Sequence, residues 1–373
     1  MRRLAAALRS WTLPAPLALL VLGLAASCAP EPAPPPPPPE LEAVPLPALA
    51  SDAAKLDTIA WHLAGIVDEP SLPHADAWVR HKAKMTAVWS RLEESRLRDM
   101  KIFAAEALAG LGSRRPLIDP FGGDDFLATL ALFPDAKRYV VIGTEAPGEV
   151  PDPEALGADE LRTELDRIAA LFAAGESPPA GRGKLAGALT DLLVQMAYGG
   201  QVPLKVRYLD VADDGSLQEL ETVAADHGGA FRLDFAPRQG GIVKTLYYFS
   251  HDLSNDGFNV RPGFFEYLKG LKPFDVDLVT AGARIRDPRL SNAAQLFQAY
   301  GTHILQDETG LPVEVFERQY WDLELFGTYP APGGDGPVDE ELRELFAKRP
   351  DLQPLGFDDG CLIFAVRKDL DLE

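Results

Sequence analysis

The sequence predicts an α+β fold: N-terminal helices followed by a mixed, mainly antiparallel sheet with packed helices. Three observations carry this. Apolar residues recur at helical spacing early in the body, as in Leu56, Ile59, Ala60, Leu63 and Val67. Alternating segments rich in β-branched and aromatic residues dominate the second half. Helices and strands do not alternate strictly there, as a doubly wound sheet would require.

Taken in order, a second stripe of Trp78, Met85, Val88, Trp89 and Leu92 predicts another helix, with "PHAD" (Pro73–Asp76) as its start. His81 lies beside that stripe, where a partly buried helix histidine is expected rather than a ligand. Two further helices carry Leu161, Leu165, Ile168 and Phe172, then Leu185, Leu189, Leu192 and Met196. Strands are expected over Arg138–Gly143, Val202–Val211, Ala230–Phe235, Lys244–Ser250, Pro312–Glu317, Tyr320–Tyr329 and Cys361–Lys368. "ADDGS" (Ala212–Ser216) and "DETG" (Asp307–Gly310) read as turns, and "YPAPGGDGP" (Tyr329–Pro337) as a surface loop.

The N-terminus has its own logic. Arg2, Arg3 and Arg9 precede an apolar run from Leu13 to Ala26, then small residues and Cys28. That order is a secretory signal, too short and wrongly flanked for a permanent membrane span. "LAASC" resembles a bacterial lipobox, which implies acylation of Cys28; an ordinary secretory signal cut nearby is the alternative. The next stretch, with six consecutive prolines from Pro34 to Pro39, favours an extended polyproline II spacer. Ala29 stands where an aspartate would suggest inner-membrane retention, so the lipoprotein resemblance implies an outer-membrane anchor facing the periplasm. The expected organisation is therefore signal peptide 1–27, proline-rich tether 28–50 and one globular body 51–373, within which 51–118 is a helical lead-in.

Loss of the three arginines of residues 1–27 takes the formal charge from −20 to −23. So acidic a chain is repelled by nucleic acid, and no basic stripe counters this. With Cys28 lipidated only Cys361 remains, so no disulfide forms; Cys361 sits in an apolar run and reads as a core residue.

Chemical templates are sparse. There is no G-x-S-x-G, H-E-x-x-H or C-x-x-C, and "GRGK" (Gly181–Lys184) lacks P-loop spacing. No pair among the six histidines has local metal-ligand spacing. "PFGGDDF" (Pro120–Phe126) echoes a nucleotide cyclase signature, but the accompanying acidic and nucleotide-binding segments are missing. Two oxygen-rich segments, "SHDLSND" (Ser250–Asp256) and "HILQDETG" (His303–Gly310), fit either Ca²⁺ or an acid–base pair. Turns whose aspartates bond backbone N–H groups are the favoured reading, and no other cofactor is expected.

Three motifs in order carry a resemblance: "PFGGDDFLATLALFPDAKRYVVIGTEAPG", "KTLYYFSHDLS" and "ILQDETGLP". Together they resemble a family of bacterial exported or lipid-anchored proteins to which no activity is assigned. Its pattern is P-F-x-G-x-D-F-L, then Y-V-x-x-G-x-E-x-x-G, K-T-L-Y-Y-F-S-x-D-L-S and I-L-Q-D-x-x-G-x-P. The matched residues include Gly123, Asp125, Phe126, Gly143, Glu145, Gly148, Asp252, Gln306 and Asp307, within a family-like core of 119–373. Asp125 precedes an apolar segment and is placed to cap a helix through the amides of Phe126–Thr129. Asp125, Glu145, Asp252 and Asp307 all lie at element boundaries, and they are expected to meet at one strand-end cleft. The resulting expectation is a non-catalytic envelope lipoprotein that binds or scaffolds an envelope protein or cell-wall partner. The alternative is a carboxylate-based envelope hydrolase, with or without a divalent cation.

Overall fold

A sheet of mixed direction organises the chain, and its centre is parallel. In the computed structural model the described residues, 51–174, 183–223, 229–279, 282–330, 339–357 and 360–368, fall within one compact unit. Residues 1–50, with Cys28 and the tether, lie outside them, as do the Gly181 end of "GRGK" and most of the loop Tyr329–Pro337.

The elements run α1 (Ser51–Leu63), α2 (Ala75–Leu92), a π-helical turn (Glu93–Leu97), α3 (Arg98–Ala107), β1 (Leu117–Asp119), α4 (Phe126–Leu132) and β2 (Arg138–Gly143). Next come α5 (Ala158–Ala174), α6 (Ala188–Tyr198), β3 (Gln201–Val211), β4 (Leu217–Leu220), β5 (Ala230–Pro237) and β6 (Lys244–Ser250). The chain continues through α7 (Asn255–Val260), α8 (Pro262–Gly270), β7 (Phe274–Leu278), α9 (Ser291–Tyr300), β8 (Gly301–Asp307), β9 (Trp321–Gly327), α10 (Glu340–Ala347) and β10 (Cys361–Arg367).

Among the described residues the ten strands form one sheet in the order β4-β3-β5-β6-β2-β1-β7-β8-β10-β9. The pairs from β6 through β8 are parallel, and the pairs outside them are antiparallel. The α+β architecture therefore holds, with the N-terminal helices preceding the sheet.

Helices cover both faces. Tyr139 and Val141 of β2 join a core with α1 to α6, while Val140 and Ile142 join a second core with α7, α8 and α9. Period-two alternation thus sends the side chains of β2 into two separate cores, and burying each large apolar side chain contributes roughly 1.5–3 kcal/mol. His81 is buried in α2 with Nε2 2.6 Å from the Leu63 carbonyl oxygen, as a structural histidine would be. Cys361 is fully buried.

Three departures from the sequence reading have physical causes. Pro312–Glu317, expected as a strand, contains a 3₁₀ turn over Val313–Val315. The buried Gln306 amide bonds both the N–H and the carbonyl of Leu311 and holds the chain in a turn before it. β7 reads "FDVDL", and its aspartates disguise a strand whose five residues are all buried. β1 has only three residues, too few for periodicity to register.

Candidate functional site

The loops at the C-terminal ends of β1, β2, β6 and β7 surround a cleft with a cavity volume of about 320 Å³. Topology explains the opening. β1 connects through α4 on one face of the sheet, and β7 connects through α9 on the other. Where neighbouring parallel strands send their connections to opposite faces, the loops diverge and leave a crevice. The floor is the turn after β1, with Phe121 and Gly123. Thr144, Glu145, His251 and Asp252 line the side that follows β2 and β6, and Arg284, Asp287 and Arg289 the side that follows β7.

Close packing positions the Glu145 loop. The Tyr248 hydroxyl donates to the Glu145 carbonyl at 2.9 Å. A Cβ on Gly143 would lie 2.6 Å from that hydroxyl, so only glycine fits there. His251 extends from the end of β6, its backbone N–H bonded to the Gly143 carbonyl at 2.8 Å. Its ring packs 4.2 Å from the Phe264 ring, centroid to centroid. Burial, reinforced by the nearby Arg261 charge, lowers the His251 pKa to about 4, so the ring is neutral at pH 7. Its Nε2 is buried and has no hydrogen-bond partner among the described residues.

The charged groups differ in how far they are engaged. Asp252 accepts the Ser254 hydroxyl at 2.7 Å and the Ser254 N–H at 2.8 Å, and that hydroxyl bond holds its pKa below the ordinary range. Arg289 is clasped by Asp287, with contacts of 2.6 to 3.1 Å. Arg284 has no ion-pair partner among the described residues, and its guanidinium sits 5.9 Å above the Phe121 ring.

Of the four acids expected to converge, Glu145 and Asp252 line this cleft, while Asp125 and Asp307 do not. Asp125 stands at the start of α4 and receives both terminal nitrogens of Arg96 at 2.7 Å. It makes no side-chain cap; the buried Gln195 amide accepts the Leu127 N–H at 2.8 Å instead. Asp307 bonds the N–H and hydroxyl of Thr309 in the turn after β8. Asp252 and Asp307 thus each accept a bond from the N–H group two residues on.

A second acidic feature lies under the floor. Parallel register pairs Leu117 with Asp275 and Ile118 with Val276, which brings Asp119 level with Asp277 on one face. Both are buried, and the Thr129 hydroxyl donates to Asp119 Oδ2 at 2.5 Å. Burial raises the Asp119 pKa to about 7, and burial with the Asp119 charge raises Asp277 well above the ordinary range. The Asp119 carboxylate also accepts the Phe121 N–H at 3.4 Å, tying the pair to the turn that floors the cleft.

Sequence reasoning missed Arg284, Asp119 and Asp277. The only local signal was "LIDP", an apolar step into Asp–Pro ahead of two glycines. Among the described residues no group of three or more His, Cys, Asp or Glu side chains has metal-holding geometry, and no helix is long and apolar enough to cross a membrane. Compared with family models, curated proteins and solved structures, the chain matches none.

Proposed function

We propose that this is an exported cell-envelope protein, anchored through lipid on Cys28, whose body binds a small polar ligand in the cleft beside β1. The N-terminal signal, the proline-rich tether and the resemblance to exported envelope proteins support the location. The observation that carries the binding reading is His251: a buried, neutral imidazole at the cleft whose Nε2 has no partner among the described residues. An unsatisfied buried polar atom costs stability, and a ligand hydrogen-bonded to it would remove that cost.

The test is a thermal-shift screen of amino acids, short peptides, sugars and phosphates against the full-length chain in detergent, alongside His251→Phe. Binding at this cleft raises the wild-type midpoint and leaves the variant's unchanged. If no compound gives a His251-dependent shift, the binding reading fails. Membrane fractionation of Cys28→Ser tests the anchor: the variant should move to the soluble fraction, and if it stays with the membrane, lipidation at Cys28 is wrong.

One observation favours the hydrolase as a second reading: Glu145 and Asp252 line the same cleft. In that case Glu145→Gln abolishes turnover of a peptide or glycoside substrate without lowering the melting midpoint.

A further inference from the structure

We infer that a second site, separate from the cleft, takes a free fatty acid: a groove beside α3 and α4 receives the apolar chain, and Lys244 binds the carboxylate.

The groove has a cavity volume of about 490 Å³, within the range of roughly 300–1,000 Å³ usual for small-molecule sites. Lys244, on its wall, is the first residue of β6, whereas the cleft follows the end of that strand. Leu97 at the end of the π-helical turn, Leu127, Leu130 and Ala131 of α4, Pro134, and Tyr198 at the end of α6 give it an apolar lining. Tyr198 is fixed by stacking on Trp89, with ring centroids 4.1 Å apart. Such a lining accepts a hydrocarbon chain, and π-helical irregularities are frequent at functional sites.

Charge selects the head group. Among the described residues two lysines line the groove and no aspartate or glutamate does, in a chain with a formal charge of −20. Lys101 is already neutralised, since both Glu93 oxygens accept from its amine at 2.9 Å. Lys244 is not. It is buried, its ammonium donates to the Pro134 carbonyl, and it has no ion-pair partner among the described residues. Asp135 acts on it from a distance but makes no ion pair with it, and accepts the Gly110 N–H at 3.0 Å. Burial disfavours the ammonium and lowers its pKa.

An ammonium has three N–H donors, and the Pro134 carbonyl takes one. The two oxygens of a carboxylate match the two that remain. One negative charge then offsets one buried positive charge, where water screens poorly. A fatty acid brings that anion on an apolar chain; an alcohol of equal length brings the chain alone.

Photolabelling of the full-length chain in phosphatidylcholine nanodiscs tests this. Dodecanoic acid and dodecanol carry the same diazirine, and labelled peptides are mapped by mass spectrometry against labelling of the scaffold protein. The acid should label peptides holding Leu97, Leu127 to Pro134 or Tyr198 at least tenfold more than the alcohol, and plain dodecanoate should compete. Lys244→Met should erase the preference for the acid. Ala105→Trp, at an exposed position on the groove, should remove labelling by both. Melting curves show whether the variants fold; if Lys244→Met does not, the acid–alcohol comparison and Ala105→Trp still decide. Absence of label from these peptides overturns the inference, as does equal labelling by acid and alcohol. So does a preference that survives Lys244→Met, or labelling that Ala105→Trp leaves unchanged.

Discussion

Asp119 ends β1 and Asp277 stands one residue before the end of the neighbouring parallel β7, with their carboxylates on the same buried face of the sheet. Two like charges so placed cannot both ionise without large cost, so the pair retains a proton into the neutral range. The Thr129 hydroxyl and the Phe121 and Val279 N–H groups supply its polar contacts.

That proton makes Asp119→Asn stabilising at neutral and alkaline pH. The native carboxyl titrates near 7 against an ordinary 3.8, so the native state holds more protons between those values and loses stability as pH rises through them. Asparagine keeps a neutral group at every pH and avoids the loss. The variant should match wild type near pH 4 and exceed it by on the order of 4 kcal/mol at pH 8. Urea melts at both pH values check this; a difference that shrinks as pH rises contradicts the shared proton.

His251 acts in the opposite direction. Its pKa lies near 4 in the fold against an ordinary 6.5, so the unfolded chain takes up a proton that the native ring refuses. The stability it contributes is present above pH 6.5 and is lost as pH falls toward 4. His251→Phe keeps the ring packing on Phe264 and removes that loss. It should be near neutral at pH 7 and stabilising by up to about 2 kcal/mol at pH 5. Melting at the two pH values decides; a variant weakened more at pH 5 than at pH 7 would falsify the depressed pKa.

The start of α4 separates a cap from an ion pair. Gln195→Ala removes the acceptor of the buried Leu127 N–H and should cost about 1–3 kcal/mol at any salt concentration. Asp125→Asn weakens the bidentate contact with Arg96, about a quarter to a third exposed, and should cost about 1 kcal/mol at low salt and less at 1 M NaCl. Denaturation with and without NaCl distinguishes them. Equal salt sensitivity in the two variants would be inconsistent with these roles.

Gly143 and Tyr248 should be strongly coupled. Gly143→Ala drives a methyl group into the Tyr248 hydroxyl and should cost about 1–3 kcal/mol. Tyr248→Phe removes that atom, at the cost of its bond to the Glu145 carbonyl, and should recover part of the loss in the double variant. A double-mutant cycle measures this, and strict additivity would show that the hydroxyl is not the obstacle.

Elements with a strong local period were legible. β2 and β6 fall where alternation places them, and α5 carries the stripe of Leu161, Leu165, Ile168 and Phe172. The turn between β3 and β4 also falls at Ala212–Ser216, with Gly215 at φ 83°. The parallel centre was harder to read. β1 is three residues long, β7 carries two buried aspartates, and β8 resembled an acidic loop because Gln306 and Asp307 end it. Charged residues in a strand buried on both faces contradict the usual apolar run, and such exceptions gather at sites.

By itself the sequence determined the positions of most helices and outer strands and two of the cleft's acids, Glu145 and Asp252. These follow from local periodicity and element boundaries. Which side chains meet was decided only by the tertiary structure. Strand order places β1 beside β7, so Asp119 lies against Asp277 and Arg284 lines the same cleft as Glu145. Such neighbours depend on pairing between distant segments, and nothing in their local spelling encodes that pairing. The same long-range packing sent Asp125 to Arg96 and Asp307 into its own turn, away from the cleft.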